Sequence, residues 1–357
     1  MHKKATSLDV AKLAGVSQSA VSRTFTPGSQ VSEKMRQKVL AAAEQLGYKP
    51  NAIARSLITR RSRMIGVVMG DITNPFYPEV LRALTDKLQS AGLRLMLFTV
   101  AQDQAVDDLL PRVMEYQLDG LIITSATISS EGIEECLKQR LPVVLFNRYV
   151  RGSRANAVCC DNVEGGRIIA NLMLDAGLER LAIATGSPDT STSLDRESGF
   201  CSRVEERILT PPLRVEADFS YEGGVAAART LLMDAAQRPD GVFCANDIMA
   251  IGFMETARNE FGLRLPEDLS VVGFDDISAA SWPSFGLTTA RQRIHTMLDA
   301  TLEILNQRIE NPDTPPMVRL VPGILKLRNS CRLPTTVGGY GWEVRLKHPG
   351  ENCEYSI

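Results

Sequence analysis

No stretch of the 357-residue chain approaches the ~18–20 uninterrupted apolar residues that a membrane span needs, so no membrane partner is expected. The start, Met1-His2-Lys3-Lys4, runs straight into a polar amphipathic pattern without the apolar core of a secretory signal. Export is therefore not expected, and a cytoplasmic location is. Histidine is scarce: His2, His295 and His348 are scattered with no metal-ligand spacing, and no metal site is expected. The seven cysteines are odd in number, contain no C-x-x-C pair and sit mostly in apolar runs. That pattern points to buried, reduced thiols rather than a disulfide framework. Marks of catalysis and cofactor binding are missing as well. The apolar run Met64–Gly70 leads into Asp-Ile-Thr-Asn-Pro instead of G-x-G-x-x-G, and there is no P-loop or nucleophile elbow. Neither an enzyme nor a bound cofactor is expected.

What is present is a charge asymmetry. The overall charge is only -2, from 40 Lys/Arg against 42 Asp/Glu. Residues 1–63 nevertheless hold 12 Lys/Arg against Asp9, Glu33 and Glu44, a net of +9, which leaves -11 for the rest. A basic segment on an acidic body suits a polyanion-binding module whose partner domain stays clear of the polyanion.

Within that basic segment, Ser7 is placed to cap a helix carrying Leu8, Val10, Ala11 and Ala14 at helical spacing, and Gly15 ends it. Val16 plugs the turn. Ser17 then caps a second helix, Gln18 to about Phe25, with Ala20, Val21 and Phe25 inward. Two short helices joined by a tight glycine turn form a helix-turn-helix pattern. In that pattern the second helix enters the major groove, and its outward side chains here are Gln18, Ser19, Ser22 and Arg23. Glutamine suits adenine N6/N7 and arginine suits guanine O6/N7. A third helix, capped by Ser32, offers Val39, Leu40, Ala43 and Leu46 as its apolar stripe before Gly47.

From Met64 onward, short apolar runs alternate with helix-length amphipathic segments. The runs are Met64–Gly70, Leu93–Thr99, Gly120–Thr124, Pro142–Phe146, Ala157–Cys160, Arg180–Thr185, Leu213–Ala217, Gly241–Cys244 and Ser270–Gly273. This order predicts parallel sheets covered by helices on both faces, and about 270 residues suffice for two such lobes. Ligands of open α/β sheets bind beyond the carboxyl ends of the strands. The residues there are Asp71, Thr124-Ser125, Asn147-Arg148, Gly186-Ser187, Asp218-Phe219, Asn246-Asp247 and Asp275-Asp276, a set suited to a small polar ligand.

The run T-S-L-D-V-A-K-L-A-G-V-S-Q-S-A-V-S-R (6–23) and the run from Val31 to Leu57 ending G-Y-K-P-N-A-I-A-R-S-L resemble the lactose-repressor (LacI) family. The resemblance continues through D-I-T-N-P-F-Y (71–77), D-N-V-E-G-G (161–166), D-R-E-S-G-F (195–200), C-A-N-D-I-M-A-I-G (244–252), V-V-G-F-D-D-I (271–277) and L-T-T-A-R-Q (287–292), to about residue 333. It implies a small all-α headpiece over 1–50, a hinge helix and linker over 51–63, and a sensor over 64–333. The sensor would consist of two doubly wound parallel-sheet lobes of the periplasmic-binding-protein type, joined by crossovers near Asn162, Ala290 and Pro322. The implied DNA-facing set is Ser17, Gln18, Ser19, Ser22 and Arg23, with Asn51, Ala54, Arg55 and Leu57 from the hinge. That hinge would fold only on operator DNA, pair with its twofold mate, enter the minor groove and wedge Leu57 between base pairs. The implied effector-binding set is Asp71, Phe76, Asn147, Arg196, Phe219, Asp247, Asp275 and Gln292.

Together these expectations describe a homodimeric, sequence-specific transcription regulator, a repressor, acting on an approximately palindromic operator under control of a small-molecule effector. Arg196 paired with Asp275 supplies a donor fork beside a bidentate acceptor, as vicinal sugar hydroxyls or a purine edge require. A surface ion pair of Arg196 with Glu197 or Glu205 is the alternative. A transporter's solute-binding protein would share the sensor architecture but needs an export signal and no headpiece. Two features depart from the family pattern. Phe285-Gly286-Leu287 stands where two prolines often precede the leucine, and the tail 334–357 has no placed counterpart. It lacks leucine heptads, so a disordered or loosely docked extension is expected.

Overall fold

In a computed structural model of the chain, the described residues are 5–25, 29–49, 61–70, 72–100, 105–124, 128–208, 210–334 and 341–346. The chain divides into two compact units between Arg63 and Met64.

The first unit holds three helices, Ser7–Ala14 (α1), Gln18–Thr24 (α2) and Glu33–Gln45 (α3). Thr6, not Ser7, caps α1. Asp9 stands three residues beyond Thr6 and its carboxylate accepts from the Thr6 amide at 2.9 Å, closing a capping box that Ser7, followed at that distance by Val10, has no means to form. Gly15, at φ 68°, takes the left-handed turn after α1, and the Val16 amide returns to Ala11 O at 3.0 Å. Val10, Ala11, Val21, Val39, Ala42 and Ala43 make the core, with Val16, Phe25, Met35 and Tyr48 against it. The stripe on α3 runs through Val39 and Ala42–Ala43. Leu40, one residue off that face, is 45% exposed, and Leu46 is exposed too, contrary to the sequence expectation.

The second unit contains two sheets. One is ordered Val318–Val321 (β11), Asn156–Cys160 (β5), Val143–Phe146 (β4), Gly120–Thr124 (β3), Met64–Met69 (β1), Arg94–Thr99 (β2), with every neighbouring pair parallel. Its helices include Phe76–Ser90 (α4), Val106–Met114 (α5), Ser130–Lys138 (α6) and Ile294–Glu310 (α11). The other lobe carries Asn162–Asp175 (α7), Leu181–Thr185 (β6), Ser191–Arg207 (α8), Leu213–Glu216 (β7), Tyr221–Leu232 (α9), Gly241–Cys244 (β8), Asp247–Asn259 (α10), Ser270–Asp275 (β9), Thr288–Arg291 (β10), Ile324–Leu327 (β12) and Glu343–Leu346 (β13). Its sheet is ordered β13-β12-β10-β9-β8-β6-β7, parallel from β10 to β7, with β12 running antiparallel to β10 and parallel to β13.

Strands β3, β4, β5, β6 and β8 are buried along their whole length, as strands covered on both faces must be. Cys159 and Cys160 show the alternation directly, because Cys159 packs into one apolar cluster and Cys160 into another. Burial pushes the Cys136 thiol up to about 12, as expected of an unreactive core residue. Three connections pass between the lobes, through Asp161–Asn162, Gln292–Arg293 and Pro322–Gly323. Of the tail 334–357, for which a disordered or loosely docked extension is expected, 334 and 341–346 are described: there Glu343–Leu346 pairs with β12 and Trp342 is buried, while the rest lies outside the described residues. The pattern of Glu343–Leu346 was hard to read because a four-residue strand with Glu and Arg carries almost no apolar periodicity.

Candidate functional site

In the headpiece, Ala20, Val21 and Thr24 point into the core, which turns Ser17, Gln18, Ser19, Ser22 and Arg23 outward, all five exposed. Ser17 is the N-cap, its hydroxyl accepting from the Ala20 amide at 3.2 Å and meeting Ser19 Oγ at 2.9 Å. Gln18 Nε2 donates to Ser7 Oγ at 3.0 Å, so the start of α1 orients the amide on the recognition face. The start of α2 therefore offers polar side chains on a scaffold fixed by its own core, the arrangement for reading base edges. The hinge positions Asn51, Ala54, Arg55 and Leu57 lie outside the described residues.

In the second unit, a cavity of about 940 Å³ opens between the lobes. One wall carries Ile72, Thr73, Asn74, Phe76, Tyr77, Asn147 and Arg148, and the facing wall carries Ser187, Asp189, Thr190, Thr192, Arg196, Asp218, Phe219, Asn246 and Asp275. These sit where strand ends meet loops, and the backbone is strained there. Asn147 and Phe219 both have φ 68°, and Asp275 has φ 120°. Such angles are costly for residues other than glycine and cluster where a side chain must be aimed. Asn147 is buried. Its amide nitrogen is 3.5 Å from Tyr77 OH, while its Oδ1 has no partner among the described residues. Arg148 Nε on the same wall is likewise without a partner among the described residues. Unmet acceptors and donors in a cleft are what a hydroxyl-bearing ligand satisfies.

Arg196 is 2% exposed, which rules out the surface pairing; Glu197 instead pairs with Arg214 at 2.6 Å. Its Nε donates to Asn162 Oδ1 at 2.8 Å, Nη1 to Ala245 O at 2.6 Å and Nη2 to Asp275 Oδ1 at 3.3 Å. The guanidinium lies 3.7 Å from the centroid of the Phe274 ring. A guanidinium has five N–H donors, so the remainder is available to a ligand. Gln292 Nε2 donates to the same Asp275 oxygen at 2.7 Å. Burial lifts the Asp275 carboxyl above its ordinary range, and the charge of Arg196 opposes that rise.

Not every expected residue reaches the cleft. Asp247 stands behind the wall with both oxygens taken, one by Thr289 Oγ1 at 2.6 Å and one by the Ile277 amide at 2.8 Å. Burial, with the nearby charge of Asp275, drives its carboxyl well above the usual range. Its role is to tie α10 to β10, and the expectation of direct contact is corrected to one of support. Gln292 is also off the lining and donates to Asp275. Asp276 is spent on Arg291 at 2.7 Å and Arg328 at 2.5 Å. Asp71 lies outside the described residues, between the lining residues Gly70 and Ile72.

Sequence reasoning missed Tyr77, Asp189, Thr190 and Thr192 on the lining. It also missed Tyr149, which reaches across the lobes. The Tyr149 hydroxyl donates to the Asp195 carboxylate at 2.9 Å, and its amide donates to Ser191 Oγ at 3.0 Å. Tyr77 lay within a quoted motif. Tyr149 stands three residues beyond β4, and Asp189, Thr190 and Thr192 four or more beyond β6, past the one or two positions that a strand end singles out.

Residues 6–51 match the family described as bacterial regulatory proteins, lacI family, and residues 170–331 match a periplasmic binding protein-like domain. The ribose operon repressor of Haemophilus influenzae is 33% identical over 312 residues, 87% of this chain and 93% of its own length. The crystal structure of the lac repressor dimer bound to operator and the anti-inducer ONPF superposes with a TM-score of 0.83 at 25% identity, covering 92% of this chain and 99% of that one. A LacI family transcriptional regulator from Enterococcus faecium with bound ribose gives a TM-score of 0.67 at 27% identity over 76% of this chain and 100% of its own. Among the described residues, no helix is long and apolar enough to cross a membrane. The chain belongs to the lacI family of bacterial regulatory proteins: it is a DNA-binding transcription regulator with an effector-binding domain, not an enzyme.

Proposed function

We propose that the protein is a cytoplasmic homodimeric repressor whose hold on an approximately palindromic operator is set by a small, neutral, hydroxyl-rich effector, a sugar or related metabolite, bound between the sensor lobes. The observation that carries this reading is the buried Arg196–Asp275 pair across the cleft from Asn147 Oδ1, which has no partner among the described residues. A sugar presents adjacent hydroxyls that donate to one side and accept from the other. Phe76 and Phe219 line the same cleft and offer apolar faces to a ring. Among the described lining residues, Arg148 and Arg196 are outnumbered by Asp107, Asp189, Asp218 and Asp275, which disfavours a dianionic ligand. The ribose-bound and ribose-operon relatives lie in the same chemical class.

The proposed effector contacts are Asp71, Phe76, Asn147, Arg196, Phe219 and Asp275, with Asp247 and Gln292 behind them. On DNA, Gln18, Ser19 and Arg23 read the major groove, Ser17 and Ser22 support them, and Asn51, Ala54, Arg55 and Leu57 engage the minor groove as a hinge. The effector acts by favouring one lobe arrangement and thereby the spacing of two headpieces. A melting screen of the full chain against D-ribose, other sugars, polyols, sugar acids and nucleobases tests this. A ligand at 100 times its dissociation constant stabilises by ~2.7 kcal/mol. Stabilisation by a sugar phosphate, with none by any neutral sugar, would overturn the ligand class.

A further inference from the structure

Residues 341–346, beyond the matched domain, are built into the sensor at a place where they touch both the cleft machinery and the connections between lobes. Trp342 is 6% exposed, its ring centroid 6.4 Å from that of Phe274 at an interplanar angle of 76°. Phe274 carries the Arg196 guanidinium at 3.7 Å, so tail, aromatic ring and cleft arginine form one contiguous chain of contacts. The indole is seated against two glycines. A Cβ at Gly165 would lie 2.8 Å from the Trp342 ring, and one at Gly323 would lie 2.3 Å from it, closer than real Cβ contacts come. Both positions therefore leave room for this ring.

Those neighbours belong to the interlobe connections. Gly165 is three residues into the helix that begins at Asn162, itself the acceptor of Arg196 Nε. Gly323 is in the third crossover. The second is held by Glu343, whose carboxylate accepts from Arg293 Nη2 at 2.7 Å. The pairing of β13 with β12, Ile324 opposite Glu343 and Leu325 opposite Val344, then locks the tail in register directly after the third crossover.

We propose that Trp342–Leu346 is a brace on the three crossovers, and that Trp342 is a positioning residue which holds Phe274 beneath Arg196 and so sets effector affinity. Its effect on ligand binding rests on the cleft being the effector site; the brace itself does not. Truncating the indole frees Phe274 to shift, loosens the stack on Arg196, and removes the packing shared by the Asn162 and Gly323 connections.

The test uses the full chain, which contains two tryptophans. In Trp282→Phe, fluorescence comes from Trp342 alone, and in Trp342→Phe it comes from Trp282, which is 55% exposed. The brace requires acrylamide to quench Trp342 several-fold more slowly than Trp282; equal quenching overturns docking. Hydrogen exchange without ligand supplies the second readout. Amides around Asn162–Gly166 and Arg291–Ile294 should exchange about tenfold faster in Trp342→Ala and return toward the parent in Trp342→Phe. Unchanged exchange in Trp342→Ala overturns the brace. With D-ribose as probe, Trp342→Ala should weaken binding about tenfold while Trp342→Phe stays near the parent, a loss in the range of a desolvated cation–π contact with its packing. Equal affinity in Trp342→Ala and parent overturns the positioning role. If the parent binds no D-ribose while both ligand-free readouts hold, the brace stands and the same affinity comparison, with the same deciding outcomes, is made with the sugar that raises the melting midpoint. Should Trp342→Ala not fold, Trp342→Leu takes its place in each comparison.

Discussion

Arg196 and Asp275 lie 79 residues apart in the chain and meet at 3.3 Å with side chains 2% and 6% exposed, one from a helix and one from the end of a strand. A charge pair this deep is held by its surroundings as much as by attraction. Asn162 Oδ1 and Ala245 O accept two further guanidinium N–H groups, Gln292 donates to Asp275, and Phe274 covers the guanidinium face. The consequence is that either partner alone is a liability. Arg196→Leu should destabilise the sensor by ~3–5 kcal/mol, because Asp275 is left charged and buried. Arg196→Leu combined with Asp275→Leu should recover a large part of that loss, while neither variant responds to effector. Urea denaturation across the double-mutant cycle checks the stability terms. An additive cycle contradicts the pairing.

The recognition helix gives the opposite behaviour. Gln18 and Arg23 are exposed, so Gln18→Ala and Arg23→Ala should leave the melting midpoint unchanged within error. Each should relax preference for one base position by ~1–3 kcal/mol. Competition with operators substituted one base pair at a time reads this out. A uniform loss over all sequences would instead assign both side chains to phosphate contacts.

How much of this was legible beforehand depended on periodicity. The strands buried on both faces, such as Leu121–Ile123 within β3, announce themselves as unbroken apolar runs. Thr288–Arg291, Val318–Val321 and Glu343–Leu346 do not, because short strands bearing arginine or glutamate look like loops. Strand ends pointed at Asn147, Phe219 and Asp275, which the structure places on the cleft lining with positive φ. The same rule overshot at Asp247 and Asp276. An acidic residue after a strand is equally suited to tie neighbouring strands, and only the contacts with Thr289, Ile277, Arg291 and Arg328 distinguish the cases. Cross-lobe partners such as Tyr149 and Asp195 have no local signature at all.

Tyr149 and Asp195 tie the two lobes at the cleft. Asp195 is buried and receives the phenol at 2.9 Å, with Arg151 3.6 Å away. Burial lifts the Asp195 carboxyl despite those partners. Tyr149→Phe removes one hydrogen bond to a carboxylate, ~1.5–3 kcal/mol, and should shift the lobes toward an open arrangement. Small-angle scattering should register the expansion in the ligand-free protein, and effector affinity should fall. An unchanged scattering profile and affinity would show that the contact does not hold the lobes together.

Lys326 on β12 is crowded by its own charge. Burial is the main cause of its depressed pKa, Arg291, Arg345 and Arg328 add to it, Asp276 opposes it, and the amine falls from 10.5 to about 8. Between those values the unfolded chain binds the proton and the folded chain has lost it, so stability rises with pH across that window. Below the folded value the protein bears the cost of a charged, half-buried amine. Lys326→Met should therefore raise the melting midpoint at about pH 7.5 and reduce the rise between about pH 8 and pH 10. An identical pH profile in parent and variant contradicts the crowding.

The most direct measurement is fluorescence-anisotropy binding of the full chain to an operator-bearing duplex and to a scrambled duplex, at fixed moderate salt, with and without the sugar that raises the melting midpoint. The expected result is a preference of at least ~10³-fold for the operator. Filling the cleft should change it by ~5–150-fold, and Arg196→Lys should abolish that change without erasing the preference. Equal binding to both duplexes, or a sugar response that persists undiminished in Arg196→Lys, would contradict the account.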